Sequence, residues 1–178
     1  MAQTPVIETS RLRLMPFSEE YLTPRYAGWL NDPEVVRYSE QRHRVHSLET
    51  CRRYFESFTG TPHFFWAMVV KDAPPGHIGN LNAHVNPENR IADVGILIGE
   101  RSVWKKGYGL EAWRAVCGYL LGGAGMRKVT AGAMAANTAM VRIMRNSGMM
   151  EDGRRIRHYL LDGREVDIVH AALFRKQS

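Results

Sequence analysis

Three strand-like segments, 64–71, 77–85 and 90–98, follow one another with only turns between them, and the next, 128–134, is reached through a helix. Pro74-Pro75-Gly76 and Asn86-Pro87-Glu88-Asn89 are turn-forming runs too short to carry a crossover, so the three segments pair antiparallel. From Gly109 to Leu121, residues Leu110, Trp113, Val116, Cys117, Leu120 and Leu121 recur at helical spacing, and Gly122-Gly123 closes the helix. A strand–helix–strand passage places its two strands parallel. These two facts together demand a mixed, mostly antiparallel sheet with helices packed on it. Within 90–98, Ala92, Val94, Ile96 and Ile98 share one face, while Asp93, Gly95 and Leu97 share the other.

The remaining pattern extends that sheet. Arg11 to Met15 alternates as a half-buried strand does, and Pro16 ends it. Between Ser18 and Tyr38 helical turns are interrupted by Pro24 and Pro33. Ser47 N-caps a helix whose stripe is Leu48, Cys51, Tyr54, Phe55 and Phe58. Asn137 to Ser147 is a further helix, closed by Gly148. Strands from Gly153 to Leu161 and from Val166 to Phe174 meet at Asp162-Gly163, a hairpin signal. The expectation is a single mixed α/β (α+β) domain over residues 1–178, with about seven strands and about four helices. A chain of this length buries roughly two-thirds of its unfolded surface and needs no staples.

Composition narrows the function. A net charge of +6 favours anionic ligands, but the basic residues fall in short clusters. No finger, RNP motif or basic helix accompanies them, so no nucleic acid is expected. Cys51 and Cys117 both fall on apolar stripes and read as buried free thiols. His43 and His46 are three apart, with no carboxylate or cysteine to complete a metal set, so no metal is expected. Met1 to Thr9 lacks an apolar signal core and no run approaches the length of a span, which points to a cytoplasmic protein without a membrane partner.

The chemistry-bearing stretch runs from Val103 to Ala112, between a strand and an amphipathic helix. Gly107 and Gly109 let the backbone come close to a ligand, and the helix behind them offers unpaired N–H groups and the positive end of its dipole. That combination binds anions such as a pyrophosphate. A P-loop would need Lys-Ser/Thr after its last glycine, where Leu110-Glu111 stands. A dinucleotide fingerprint would need an acidic residue near Lys128-Val129-Thr130. Both are excluded.

The string Trp104-Lys105-Lys106-Gly107-Tyr108-Gly109 resembles the pyrophosphate motif of the GNAT superfamily of acyl-CoA N-acyltransferases, Q/R-x-x-G-x-G/A, with Trp104 in place of Gln or Arg. With the following Glu111-Ala112 it is similar to the branch that includes the ribosomal-protein alanine acetyltransferases, the RimJ/RimL-like enzymes. Thr9 to Leu14 resembles that branch's opening strand, and Trp29-Leu30-Asn31-Asp32-Pro33-Glu34-Val35 its "WxNDPEV" segment. Asn137 and Gly148 keep the spacing of its late helix, with Met149 where Phe is common.

The resemblance implies direct attack of an amine on the acetyl-CoA thioester. The pantetheine arm would enter a splayed sheet between the 90–98 and 128–134 strands. Amides near Leu97 and Ile98 would polarise the thioester carbonyl, and the loop from Trp104 through Lys105, Lys106, Gly107, Tyr108 and Gly109 to Leu110 would hold the pyrophosphate. Asn137 would reach the thiol end, with Arg142 one turn further on. Asp93 stands where relatives carry Glu and is the candidate base, acting through water. Met144 stands where relatives carry the Tyr that returns a proton to the thiolate, so the general acid is unassigned.

Acceptor contacts are expected from the 29–50 segment, chiefly Trp29, Arg42, His43 and His46, with Arg37, Gln41 and Arg44. This donor-rich set suits a small amine bearing phosphate or carboxylate, such as an amino sugar. A protein N-terminus is the second reading and a catalytically idle acyl-CoA-binding module the third. Assembly as a homodimer is compatible with each.

Overall fold

The computed structural model describes residues 4–176. Residues 1–3, part of the segment read for a signal core, and 177–178 lie outside it. Eight strands form one sheet: β1 (Ile7–Glu8), β2 (Leu12–Pro16), β3 (Phe64–Val70), β4 (His77–Asn86), β5 (Ile91–Ile98), β6 (Lys128–Met134), β7 (Met150–Leu161) and β8 (Arg164–Phe174). Their spatial order is β1-β2-β3-β4-β5-β6-β8-β7, antiparallel everywhere except between β5 and β6. Five α-helices accompany them: α1 (Pro24–Asn31), α2 (Pro33–Val36), α3 (Leu48–Glu56), α4 (Tyr108–Leu121) and α5 (Thr138–Asn146).

The mixed sheet is as expected, with one strand and one helix more. β1 is two residues long and pairs with Leu14 and Arg13 of β2, too short for periodicity to reveal. The prolines between 18 and 38 start helices: Thr23 caps α1 with Pro24 at its first position, and Asp32 caps α2 ahead of Pro33. Ser47 and Thr50 form a reciprocal capping box on α3. Asp162 and Gly163 both take positive φ, 51° and 75°, as a two-residue hairpin turn requires.

The sheet separates two cores. On one face Leu12, Leu14, Trp66, Met68, Leu81 and Val94 pack against Trp113, Val116 and Leu120 of α4. On the other, Phe17, Tyr26, Trp29 and Cys51 pack against Phe65 and Ala67. β3 is therefore covered on both sides, which is why Phe64–Val70 reads as an unbroken apolar run. Both cysteines are free and buried.

One interruption positions the site. β5 and β6 pair only at Ile91, Ala92 and Asp93, opposite Lys128, Val129 and Thr130. Beyond those pairs Val94–Ile98 and Ala131–Met134 diverge, as the expected splay requires.

Candidate active site

The start of α4 is built for an anion. Lys105 and Gly107 adopt positive φ, 63° and 85°, turning the chain so that Gly107 caps α4 from the left-handed region. Among the described residues, no protein acceptor takes the amides of Lys105, Gly107, Tyr108, Gly109 or Leu110, whereas Glu111 donates back to the Gly107 carbonyl at 3.2 Å. Four successive free amides at a helix N-terminus form an anion cradle. Lys105 and Lys106 are exposed beside it.

Trp104 anchors this loop to the sheet: its Nε1 donates to the Ile98 carbonyl at 2.9 Å. Arg11 braces it from the N-terminal strand, donating to the Lys106 carbonyl at 2.9 Å and lying 4.4 Å over the Tyr108 ring. Arg11 is in turn clamped by Glu111, whose carboxylate accepts from Thr9 Oγ1, Ser10 Oγ, the Arg11 amide and Arg11 Nε. Burial pushes the Glu111 carboxyl up, but these donors overcome it and hold it at about 2.

A cavity of about 500 Å³ opens where β5 and β6 part. Val94 to Leu97 form one wall, Gly132, Ala133, Asn137 and Met140 another, and Asn80, Asn82, Tyr54 and Phe65 its floor. The segment from Leu30 to Cys51 closes it through Gln41, Arg44, His46 and Thr50. Its lining contains no Asp, Glu or Lys.

The expected residues distribute unequally over this geometry. Leu97 and Asn137 line the cavity, and Asn137 also caps α5, its Oδ1 accepting from the Met140 amide at 3.1 Å. Gly99 donates its amide to the Ile78 carbonyl at 3.0 Å. Antiparallel alternation then turns the Leu97 amide toward β4 and the Ile96 and Ile98 amides toward the opening. Arg142 is exposed on α5.

Asp93 lies outside the cavity, exposed, accepting from Thr130 Oγ1 at 2.8 Å and paired across the strands with His84. It shares a face with Gly95, about 7 Å along the strand. Met144 is 2 % exposed in the main core, far from any proton-transfer role.

Of the acceptor set, His46 lines the cavity, and the other three do not. Trp29 is buried beside His77, and a methyl group on Gly99 would run into its ring. Arg42 turns away to the Ser39 and Leu160 carbonyls and the Glu40 carboxylate, holding the segment against β7. His43 is exposed beside Glu40. Arg37 pairs with Asp162 at 3.2 Å. Periodicity placed Tyr54 on an apolar stripe and gave Asn80 and Asn82 no role: nothing local singles out these asparagines on a strand that also carries His77, His84 and Asn86. Among the described residues no cluster of three or more His, Cys, Asp or Glu is placed to hold a metal, and no helix is long and apolar enough to cross a membrane.

A family model described as the acetyltransferase (GNAT) domain matches residues 11–150. The chain belongs to the GNAT acetyltransferase family. Among solved structures this acetyltransferase is similar to a GNAT-family acetyltransferase from Bacillus anthracis, at 18% identity and TM-score 0.82 over 97% of this chain and 100% of that one. It is similar to the spermidine N-acetyltransferase from Vibrio cholerae in complex with CoA and spermine, at 16% identity and TM-score 0.82 over 94% and 97%. It is also similar to the ribosomal-protein-S5-alanine acetyltransferase from Vibrio fischeri, at 13% identity and TM-score 0.81 over 96% and 97%. These likenesses establish the GNAT fold. No curated protein matches the sequence.

Within this acetyltransferase burial favours the neutral form of Tyr54, Tyr26 and Cys51. Burial raises the Tyr54 phenol, only partly offset by the hydrogen bond from Asn82 Nδ2 to its oxygen at 2.7 Å. Burial likewise raises Tyr26, and it raises the Cys51 thiol, so Cys51 stays a protonated, poor nucleophile.

Proposed function

We propose that this protein transfers an acetyl group from acetyl-CoA to the primary amine of a small polar metabolite such as an amino sugar, by direct attack within a ternary complex. The observation that carries the acceptor class is the set of polar groups in a partly apolar cavity lining: amides, hydroxyls, one imidazole and the Arg44 guanidinium, with no carboxylate to receive a polycation. Spermine is the ligand of the Vibrio cholerae relative, and a chain of ammonium groups would find no counter-charge among these residues. Arg44 suits a phosphate or carboxylate on the acceptor.

Acetyl-CoA supplies an activated thioester, whose acyl carbon forms the new C–N bond as the C–S bond breaks. The free amides from Gly107 to Leu110 fit its pyrophosphate, and the parting of β5 and β6 fits its arm. Asn137 borders the thiol end, and the inward-facing amides of Ile96 and Ile98 are placed to bind the carbonyl oxygen. The amine proton leaves through water toward Asp93, two residues along the strand from Gly95. A second proton reaches the departing sulfur from solvent, since Met144 offers none.

Thermal unfolding with acetyl-CoA, followed by thiol release with a panel of amines, tests the reading. No stabilisation and no thiol release with any amine would overturn it. In the same assay Asp93→Asn lowers kcat/KM by about 10²-fold or more. An unchanged rate assigns deprotonation to another group, with His46 of the cavity wall the next to change.

A further inference from the structure

Among the described residues Asn80 is the one buried amide or charged side chain, 4 % exposed in the middle of β4, and it lines the cavity. Its orientation is set by its neighbour. His77 Nε2 lies 3.0 Å from the Gly79 carbonyl oxygen and 2.9 Å from Asn80 Oδ1. A carbonyl oxygen only accepts, so Nε2 carries the proton, and the atom of Asn80 that faces it must be the amide oxygen. Asn80 Nδ2 therefore points away from His77. It is buried and finds no partner in the protein.

The His77 ring cannot easily turn to undo this. It sits among Tyr21 and Trp29, with centroids 4.9 and 5.0 Å away, and Phe17 and Tyr26 further out. Burial also lowers its pKa, against the opposing hydrogen bonds to Asn80 and Gly79, which keeps the ring neutral with one proton to give. A buried amide donor left unpaired costs stability. Such a cost in a cavity wall points to a ligand atom that removes it.

The position identifies that atom. Asn80 pairs across the strands with Leu97, at the end of β5 where the sheet has opened and the thioester would lie. One strand spacing, about 4.8 Å, separates the two backbones. A group bound by Asn80 is thus close to the reacting nitrogen.

Building on the acetyltransferase reading, we propose that Asn80 selects the acceptor, donating from Nδ2 to an oxygen carried next to the amine, and that His77 is its positioning residue. Acceptors are then amines with a hydroxyl or carbonyl oxygen on the carbon next to the one that bears the nitrogen, as in a 2-amino sugar or an α-amino amide. Plain alkyl amines leave the donor buried and unpaired.

The test compares matched pairs in the full-length protein: glucosamine with cyclohexylamine, and alaninamide with isopropylamine, each as kcat/KM by thiol release. Each pair is compared across variants, so the different basicities of its members cancel. In Asn80→Leu the preference for the oxygen-bearing member falls roughly ten- to hundredfold. His77→Phe, which frees the amide to turn, lowers it in the same direction, and His77→Gln, which keeps a donor, restores part of it. Melting curves and acetyl-CoA-induced stabilisation of each variant confirm that it folds and binds co-substrate. A ratio unmoved by Asn80→Leu overturns the assignment while leaving the acetyltransferase reading intact. No turnover of any amine by the unaltered protein overturns that reading, and the assignment falls with it. Glucosamine against alaninamide separates the sugar from the peptide source of the shared chemistry.

Discussion

Glu111 shows how much of the co-substrate loop is held by a single side chain. Its carboxylate gathers Thr9, Ser10 and Arg11, and through Arg11 it fixes the Lys106 carbonyl. A carboxyl depressed from 4.5 to about 2 contributes stability that is complete above pH 4.5 and is lost as the pH falls through 2. Glu111→Gln therefore costs about 1–2 kcal/mol at pH 7, allowing for solvent screening. The difference between variant and parent shrinks between pH 4.5 and 2, as urea melts across that range would register. A constant difference would mean that the clamp does not depend on charge. The motif reading placed Glu111 beside the glycines without a role; its partners lie about a hundred residues away in sequence, beyond the reach of local pattern.

Among the elements, α5 carries two tasks at one residue. Asn137 Oδ1 caps the helix, while its side chain borders the cavity. Asp caps as well as Asn but has no amide to donate. Asn137→Asp is expected to keep the melting temperature within a few degrees and to weaken acetyl-CoA binding. Asn137→Ala loses about 1 kcal/mol of stability as well. Equal binding by both variants and parent would confine Asn137 to capping. The helix itself was legible from Asn137 and Gly148, as was α4 from its stripe. β7 was read from Gly153, yet it begins at Met150: register shifts at Glu151/Gly153 and Arg155/Tyr159 break the alternation that would have announced it. Alternation signals a strand only where one face is buried, and β7 is exposed over most of its length.

For the molecule as a whole, the antiparallel pairing of β3, β4 and β5 followed from turn lengths, the place of β8 between β6 and β7 did not, and the opening between β5 and β6 was expected only through the family resemblance. Leu97, Asn137 and His46 of the cavity wall were named from the resemblance, but Asn80, Tyr54 and Gly132 were not, because they come from separate stretches of chain that only the fold joins. Acetyl-CoA at a hundredfold excess over its Kd is expected to raise stability by about 2.7 kcal/mol. Hydrogen exchange should slow most at Ile96, Ile98 and the 107–110 amides; uniform slowing would place the ligand elsewhere. The parting also leaves two strand edges inside one sheet, along Val94–Ile98 and Ala131–Met134. Free edges are templates for foreign strands wherever they occur. Whatever fills the gap shields both at once, so resistance to aggregation and supply of ligand are governed by the same opening.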